Sequence, residues 1–468
     1  MLVLRDYQAH LIDEAREHIR AGCNAVLIQS PTASGKTVLI AHMLRHATSK
    51  GYRAWFVVHR RELVKQSVAT LTEAAGLDVG IVAAGFPGNR KQNVQVCSIQ
   101  TLRGRQSMLP DPSLIIWDEC HHVAAGSWSE IFTTYSRAAH IGLTATPERL
   151  DGVGLGGWFK ELVTGPTVTE LIDDGWLSPF KIFAPPGPDV SAVHIMAGDY
   201  NRKELSSVMD GSAIMGDVLT HYRKLANGKR MVLFAWSISS SIDLAARFCA
   251  AGIAAEHVDG TTSMDGRDAA MERFRRGQTL VLTNVDLFGE GLDVPAIEAV
   301  ALLRPTQSLM LYLQQVGRAL RPAPGKDYAV ILDHAGNALR HGLPDDARAW
   351  SLQSGRRKRV GDDAAPIRQC PQCYAVMPAA RPACMECGFK FAVIGREIDE
   401  VAGELREVED ARAKRIEQGQ ARTLDDLIAI GRTRGYKCAE RWAQMVYRGR
   451  LAKKAAAEAV ASMQRGIV

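Results

Sequence analysis

No stretch of the 468 residues approaches the roughly 18 uninterrupted apolar positions of a membrane span, so none is expected. Arg5 and Asp6 interrupt the start of the chain before the apolar stretch of a secretory signal could form, which points to a cytoplasmic protein. Aromatic residues are scarce at 6%, yet 46% of the chain is apolar and 23% charged, a balance that excludes a disordered or collagen-like chain. No low-complexity segment occurs. Cysteine is too thinly spread for a small disulfide scaffold: Cys23, Cys97, Cys120, Cys249 and Cys438 stand singly and read as reduced thiols. At roughly 150 residues per domain, the length suggests about three domains.

The net charge of +6 is small and unevenly placed. Residues 340–468 hold 24 Lys and Arg against 17 Asp and Glu, whereas the first 339 hold 33 against 34. The positive surplus belongs to the C-terminal part, which suits a nucleic-acid-binding appendage better than a uniformly basic protein.

The first 340 residues alternate short apolar runs with helical patterns. Ala25–Gln29, Ala54–Val58, Val94–Ser98, Leu114–Trp117 and His140–Leu143 read as buried parallel strands, separated by helical stretches such as Thr37–His46 and Arg61–Ala75. A second series follows with Met231–Ala235, Ala254–Val258, Thr279–Thr283, Glu298–Leu303 and Tyr328–Leu332. Two doubly wound α/β domains in tandem, each with a parallel sheet, are therefore expected over 1–182 and 212–345, joined by a Pro-rich, weakly patterned linker over 183–211. Residues 346–395 form a basic linker and a four-cysteine module. A helical tail spans 396–468, in which Thr423 can cap a helix with Asp425 and Asp426 in its first turn.

The first strand runs into Ser30-Pro31-Thr32-Ala33-Ser34-Gly35-Lys36-Thr37 and then a helix, the setting of a phosphate-binding loop. Backbone amides and the helix dipole would cradle the phosphates of ATP, Lys36 would reach the β- and γ-phosphates, and Thr37 would hold Mg2+. Ser30 stands where the general pattern has glycine. Ala33 also stands at a common glycine position, tolerable if that residue avoids positive φ. Asp118 and Glu119 follow a later strand, where open α/β sheets bind ligands. Asp118 would bind Mg2+, and Glu119 would orient or deprotonate the attacking water. No separate carboxylate cluster suggests a fused nuclease.

Asp118-Glu119-Cys120-His121, with the loop before it, resembles the D-E-x-H box of superfamily 2 helicases, and the resemblance covers roughly residues 1–340. It implies two RecA-like domains and several further motifs. Arg5-Asp6-Tyr7-Gln8 is similar to the adenine-reading motif, with Gln8 pairing to the base. The segments His59–Leu63 and Ser98–Leu102 occupy the places of strand-tracking motifs, which makes Arg60, Gln100 and Thr101 nucleic-acid contacts. Thr144-Ala145-Thr146 matches the motif that, with His121, couples the ATP and nucleic-acid sites. Leu282-Thr283-Asn284 through Pro295 matches the fifth motif, with Thr283 on nucleic acid and Gly291 and Asp293 near the nucleotide. Gln314 through Arg321 matches the sixth, although Gln315 stands where many relatives carry arginine. Arg318 and Arg321 lie three apart, so on a helix they share a face and would reach the γ-phosphate across the cleft, with Gln314 beside them.

Cys370, Cys373, Cys384 and Cys387 form C-x2-C-x10-C-x2-C, which reads as a zinc ribbon holding Zn2+ through four thiolates. Its role is open among duplex or junction binding, a structural brace and a protein-docking site, and the helical tail is a second candidate for a protein partner. A superfamily 2 motor followed by a ribbon and a helical tail resembles the RadD-like DNA repair helicases of bacteria and related phage proteins. That resemblance implies DNA rather than RNA as the partner, bound largely without sequence preference. The expected function is an ATP-dependent helicase or translocase. A remodelling ATPase that leaves strands paired and an ATP-switched clamp are the alternatives.

Overall fold

The computed structural model describes residues 3–59, 61–123, 126–148, 153–211, 214–285, 297–353, 366–392, 417–436 and 438–449. The chain divides into two compact units, Met1–Val393 and Ile394–Val468. Among the described residues, no helix is long and apolar enough to cross a membrane.

The first unit contains two parallel sheets of the RecA-like, doubly wound kind. The first is built from β1 (Ala25–Gln29), β2 (Ala54–Val58), β3 (Val79–Val82), β4 (Val94–Ser98), β5 (Leu114–Asp118), β6 (Ala139–Thr144) and β7 (Glu161–Thr164). Their spatial order is β3-β4-β2-β5-β6-β1-β7, every pair parallel. All residues of β1, β2 and β4 are buried, as strands covered on both faces must be. Leu39, Leu44, Val58 and Val64 pack on one face, and Trp55, Trp117, Trp128 and Phe159 on the other.

β8 (Phe180–Phe183) leaves the first sheet for the edge of the second. A short hairpin follows, β9 (Ile195–Met196) and β10 (Asp199–Tyr200), and then β11 (Met231–Phe234), β12 (Ala255–His257), β13 (Val281–Asn284), β14 (Ala299–Leu302) and β15 (Ala329–Asp333). The order is β12-β13-β11-β14-β15-β8, again parallel throughout. The expected boundary at residue 182 thus cuts a strand of the second sheet. β8 escapes pattern reading because Lys181 breaks its apolar run. That lysine sits 4.5 Å over the Tyr328 ring and 2.8 Å from Glu386, so its charge stays satisfied at the sheet edge.

The stretch expected as a linker is folded onto the second domain. Ala197 and Gly198 take φ of +52° and +87° in the hairpin's two-residue turn, the backbone a tight hairpin requires. Asp199 anchors the hairpin by accepting from the Thr306 hydroxyl (3.0 Å), the Gln307 amide (2.7 Å) and Arg304 (3.0 Å). Asn201 caps the following helix, Arg202–Asp210, whose Leu205 and Met209 are buried in the second core. Two-residue strands carry no legible periodicity, which is why this region reads as weakly patterned.

Near the end of the unit, β16 (Ile367–Gln369) and β17 (Val376–Pro378) form the cysteine module's hairpin. It docks on β8: the Ala184 amide donates to Tyr374 O at 2.9 Å, and Cys370, Ala375, Met377 and Cys384 join the hydrophobic core of the second sheet.

In the second unit, Thr423 caps the helix Leu424–Thr433 by accepting from the Asp426 amide at 3.1 Å, as expected. Leu427 is buried together with Ala443 of a helix over 439–449, and Gly431 lets the two helices approach closely. Of the helical tail expected over 396–468, residues 396–416, 437 and 450–468 lie outside the described residues.

Candidate functional site

The carboxyl ends of β1, β5 and β6 meet at one place. β1 delivers the phosphate loop, and the helix Lys36–Ser49 begins at Gly35, which adopts φ +85°. No side chain caps this helix and its first turn holds no acidic residue, so its positive end faces the loop as an anion site. Ser30 substitutes for glycine without strain: its hydroxyl lies 2.6 Å from that of Ser34, which also donates to Pro31 O at 2.7 Å. Ala33 departs from expectation, with φ of +69° where a residue avoiding positive φ was required. That conformation costs roughly 1–2 kcal/mol for a residue with a Cβ. In exchange the Ala33 methyl packs against the second domain's core, a contact glycine could not make.

Gln8 is buried beside the phosphate loop. Its Oε1 accepts from the Arg5 amide at 3.0 Å, and its Nε2 donates to the carbonyls of Ser34 (3.1 Å) and Gly35 (3.3 Å). The amide therefore ties the N-terminal helix to the phosphate loop. Tyr7 joins it by donating to Ser34 O, while the Arg5 guanidinium lies 4.1 Å over the Trp176 ring.

Lys36 Nζ donates to Ser30 O at 3.3 Å and lies 3.9 Å from Glu119 Oε1. Thr37 is half-buried at the start of the same helix, and Asp118 closes β5 with its Oδ1 accepting from the Glu119 amide at 3.2 Å. Glu119 takes a left-handed backbone, φ +47°, which turns the chain sharply into Cys120–His122. His121, 5% exposed, brings Nδ1 to 3.3 Å from Thr144 Oγ1 and 3.5 Å from Glu119 Oε2. Thr144 Oγ1 also accepts from the Thr146 amide at 3.2 Å. The loop lysine, the acidic pair and the Thr-Ala-Thr segment thus form one connected group.

The second domain contributes the helix Leu309–Ala319. Leu313, Gly317 and Leu320 line a small cavity together with Pro31 and Thr32. Gln314 and Arg318 lie one position further round that helix, whereas Arg321 lies beyond its end at Ala319, so the two arginines do not share a helix face as expected. Both polar atoms of the Gln314 side chain are buried without a hydrogen-bond partner in the structure, and Arg318 is 5% exposed. Burial lowers the pKa of Arg321 below the usual arginine value. A Cβ at Gly317 would come within 2.5 Å of Thr32 Cβ, so only glycine permits this approach. Gly317→Ala is expected to cost about 1–3 kcal/mol of closure through overpacking, read as a roughly 10–100-fold fall in ATP turnover with nucleotide affinity little changed. Unaltered turnover would show that the helix does not need this contact.

Of the residues expected on nucleic acid, Gln100 and Thr101 follow the carboxyl end of β4. Gln100 is exposed and held by its neighbours, its Nε2 donating to His59 O at 2.7 Å and its Oε1 accepting from Ser98 Oγ at 2.6 Å. Thr101 Oγ1 accepts from the Ala84 amide at 3.1 Å. Thr283, expected on nucleic acid, is fully buried and donates to Ser241 O at 2.8 Å, because its hydroxyl satisfies an acceptor beside the strand. Arg60, Gly291 and Asp293 lie outside the described residues. Sequence reasoning quoted Tyr7 and His59 within motifs but gave no role to them or to His122; the run of two histidines after Cys120 was the available signal for the last.

The second candidate centre is the four-thiol cluster. The sulfurs of Cys370, Cys373, Cys384 and Cys387 all lie within 4.8 Å of one another. Cys370–Cys387 and Cys373–Cys384 are each 3.6 Å apart, too far for disulfides. Four thiolates tetrahedrally around one ion at about 2.3 Å would stand about 3.8 Å apart, so the cluster fits Zn2+. Both knuckles turn through a left-handed residue, Tyr374 (φ +62°) and Gly388 (φ +73°), four positions after their first cysteine.

Comparison with known proteins agrees with this geometry. Residues 1–149 match the family described as type III restriction enzyme, res subunit, and residues 214–323 match the helicase conserved C-terminal domain. A 51.5 kDa protein of Lactococcus phage (isolate 7-9) is 37% identical over 369 residues, 78% of each chain. The Saccharomyces cerevisiae protein IRC3 is 32% identical over 355 residues, 71% of this chain and 52% of its own. The fold resembles that of the ATP-dependent type ISP restriction-modification enzyme LlaBIII, solved bound to DNA, with a TM-score of 0.55 at 18% identity over 71% of this chain and 27% of that one. The chain therefore spans about half the length of the yeast relative. Its motifs, its tandem sheets and these relatives agree, and the chain belongs to helicase superfamily 2, a family of ATP-hydrolysing enzymes.

Proposed function

We propose that the protein is an ATP-driven translocase or helicase acting on DNA, in repair or in the processing of forks and junctions. The observation that carries this reading is the seating of the second-domain helix on the phosphate loop, Gly317 against Thr32, with Arg318 and Gln314 buried beside it. ATP joins the domains through that contact and hydrolysis releases it, so grip on a strand alternates between them. Thr37 and Asp118 would hold Mg2+, which neutralises charge developing on the phosphates. The four cysteines would hold Zn2+. The ribbon's packing on β8 favours a brace for the second domain among its possible roles, and it leaves the helical tail as the better candidate for a protein partner.

The RadD-like order of motor, ribbon and helical tail supports DNA over RNA. The phage relative supports work in the cytoplasm of a bacterial host. ATP turnover measured against single-stranded, duplex and forked DNA and against RNA, at fixed salt, tests the reading. Stimulation by DNA that weakens steeply with salt is expected, because backbone contacts dominate. Equal stimulation by RNA would remove the DNA assignment, and tight DNA binding without stimulation would make the protein a clamp. Strand displacement on the forked substrate separates a helicase from a motor that leaves duplexes paired.

A further inference from the structure

Sheet order places β4, β2, β5, β6 and β1 side by side. Their carboxyl ends therefore line up Gln100, His59, the Glu119–His122 turn, Thr144 and the phosphate loop in one row. Contacts run along that row without a gap. Gln100 donates to His59 O, the His59 and His122 rings lie 4.7 Å apart, and His122 Nε2 sits 3.1 Å from His121 Nε2. His121 then reaches Thr144 and Glu119.

We propose that His122 is a positioning residue that couples occupancy of the strand surface at Gln100 to the placement of Glu119. The inference rests on the nucleic-acid motor reading above. Two facing imidazole nitrogens can share a hydrogen bond only if one donates and the other accepts. When His122 Nε2–H donates, His121 must accept at Nε2 and carry its own proton on Nδ1, the atom facing Glu119 Oε2. His122 thereby sets the tautomer of His121 and supplies a donor for the carboxylate that orients the attacking water.

The distances give the coupling a direction. Glu119 is loosely held, at 3.9 Å from Lys36 and 3.5 Å from both His121 and Thr144, beyond ordinary hydrogen-bond length. The strand end is tight, with Gln100 bonded at 2.6 and 2.7 Å. A strand that shifts Gln100 moves the His59 backbone and the ring packed against His122, and the slack at Glu119 is taken up. Without a strand, Glu119 stays slack whether or not His122 is present, so turnover without nucleic acid does not depend on it.

The test is steady-state ATP turnover of the full chain with and without single-stranded DNA, for His122→Phe, His122→Ala and His59→Ala. His122→Phe keeps a ring against His59 and loses the nitrogen, which guards against a variant that merely fails to fold. Stimulation is expected to fall about 10–100-fold, the range for removing a residue that orients a ligating or catalytic group. Turnover without DNA, KM for ATP and DNA affinity by fluorescence anisotropy should each stay within about threefold, while His122→Gln, which places an N–H near the same point, should recover part of the stimulation. Stimulation of His122→Phe equal to that of the natural protein would overturn the coupling alone. An equal fall with and without DNA would also overturn it, by making His122 a structural residue. A natural protein that no nucleic acid stimulates would overturn the motor reading, and this inference with it.

Discussion

Arg318→Ala is expected to lower ATP turnover by roughly 10³–10⁵-fold, the contribution of an arginine that stabilises charge on a transferring phosphoryl group. The helix Leu309–Ala319 brings Gly317 against Thr32 of the phosphate loop, and Arg318 is the next residue along it. Arg318 is 5% exposed, and the phosphate loop against which Gly317 packs is built to hold an anion. Nucleotide binding depends mainly on the first domain, so Arg318→Ala should still take up a non-hydrolysable ATP analogue with affinity within a few-fold of normal. Lys36→Ala should lose both uptake and turnover. Arg318→Lys should not rescue, because a point charge cannot replace the planar, two-pronged contact. Near-normal turnover in Arg318→Ala, with intact binding and folding, would remove the residue from the reaction.

How far the site was legible depended on whether a residue acts within its own segment or across the fold. Lys36 follows a five-residue buried strand and Asp118 ends another, so pattern and chemistry coincided and their meeting place followed from topology. Ala33 was judged by local backbone cost, and the structure sets against that cost a contact from a different domain. Thr283 occupies its expected motif, but its hydroxyl turns inward to Ser241, a choice no linear pattern records. β8 and the hairpin at Asp199 were missed because a lysine or a two-residue length erases the alternation on which strand reading depends. The histidine run marks His122 but not its place between two sites. Its significance lies in standing between His121 and His59, and only the order of the strands brings His59 there.

Removing the metal from the cysteine cluster should do more than unfold a small appendage. The binding free energy of a structural zinc is folding free energy, of order 10–16 kcal/mol in isolated finger peptides. Cys370 and Cys384 are also part of the second domain's core, and Tyr374 O accepts from Ala184 beside β8. Cys370→Ser or a strong chelator is therefore expected to release one zinc per chain, lower the unfolding temperature of the second domain and expose β8 to proteolysis. The phosphate loop lies in the other sheet, so ATP uptake should persist. Turnover should fall, because it needs the helix Leu309–Ala319 held on a sound second domain. The decisive comparison is between metal content, by atomic spectroscopy, and the two functional readouts in the same sample. Loss of zinc with unchanged melting and turnover would mean that the ribbon does not brace the motor. A chain with no zinc to lose, and a normal fold, would remove the metal assignment.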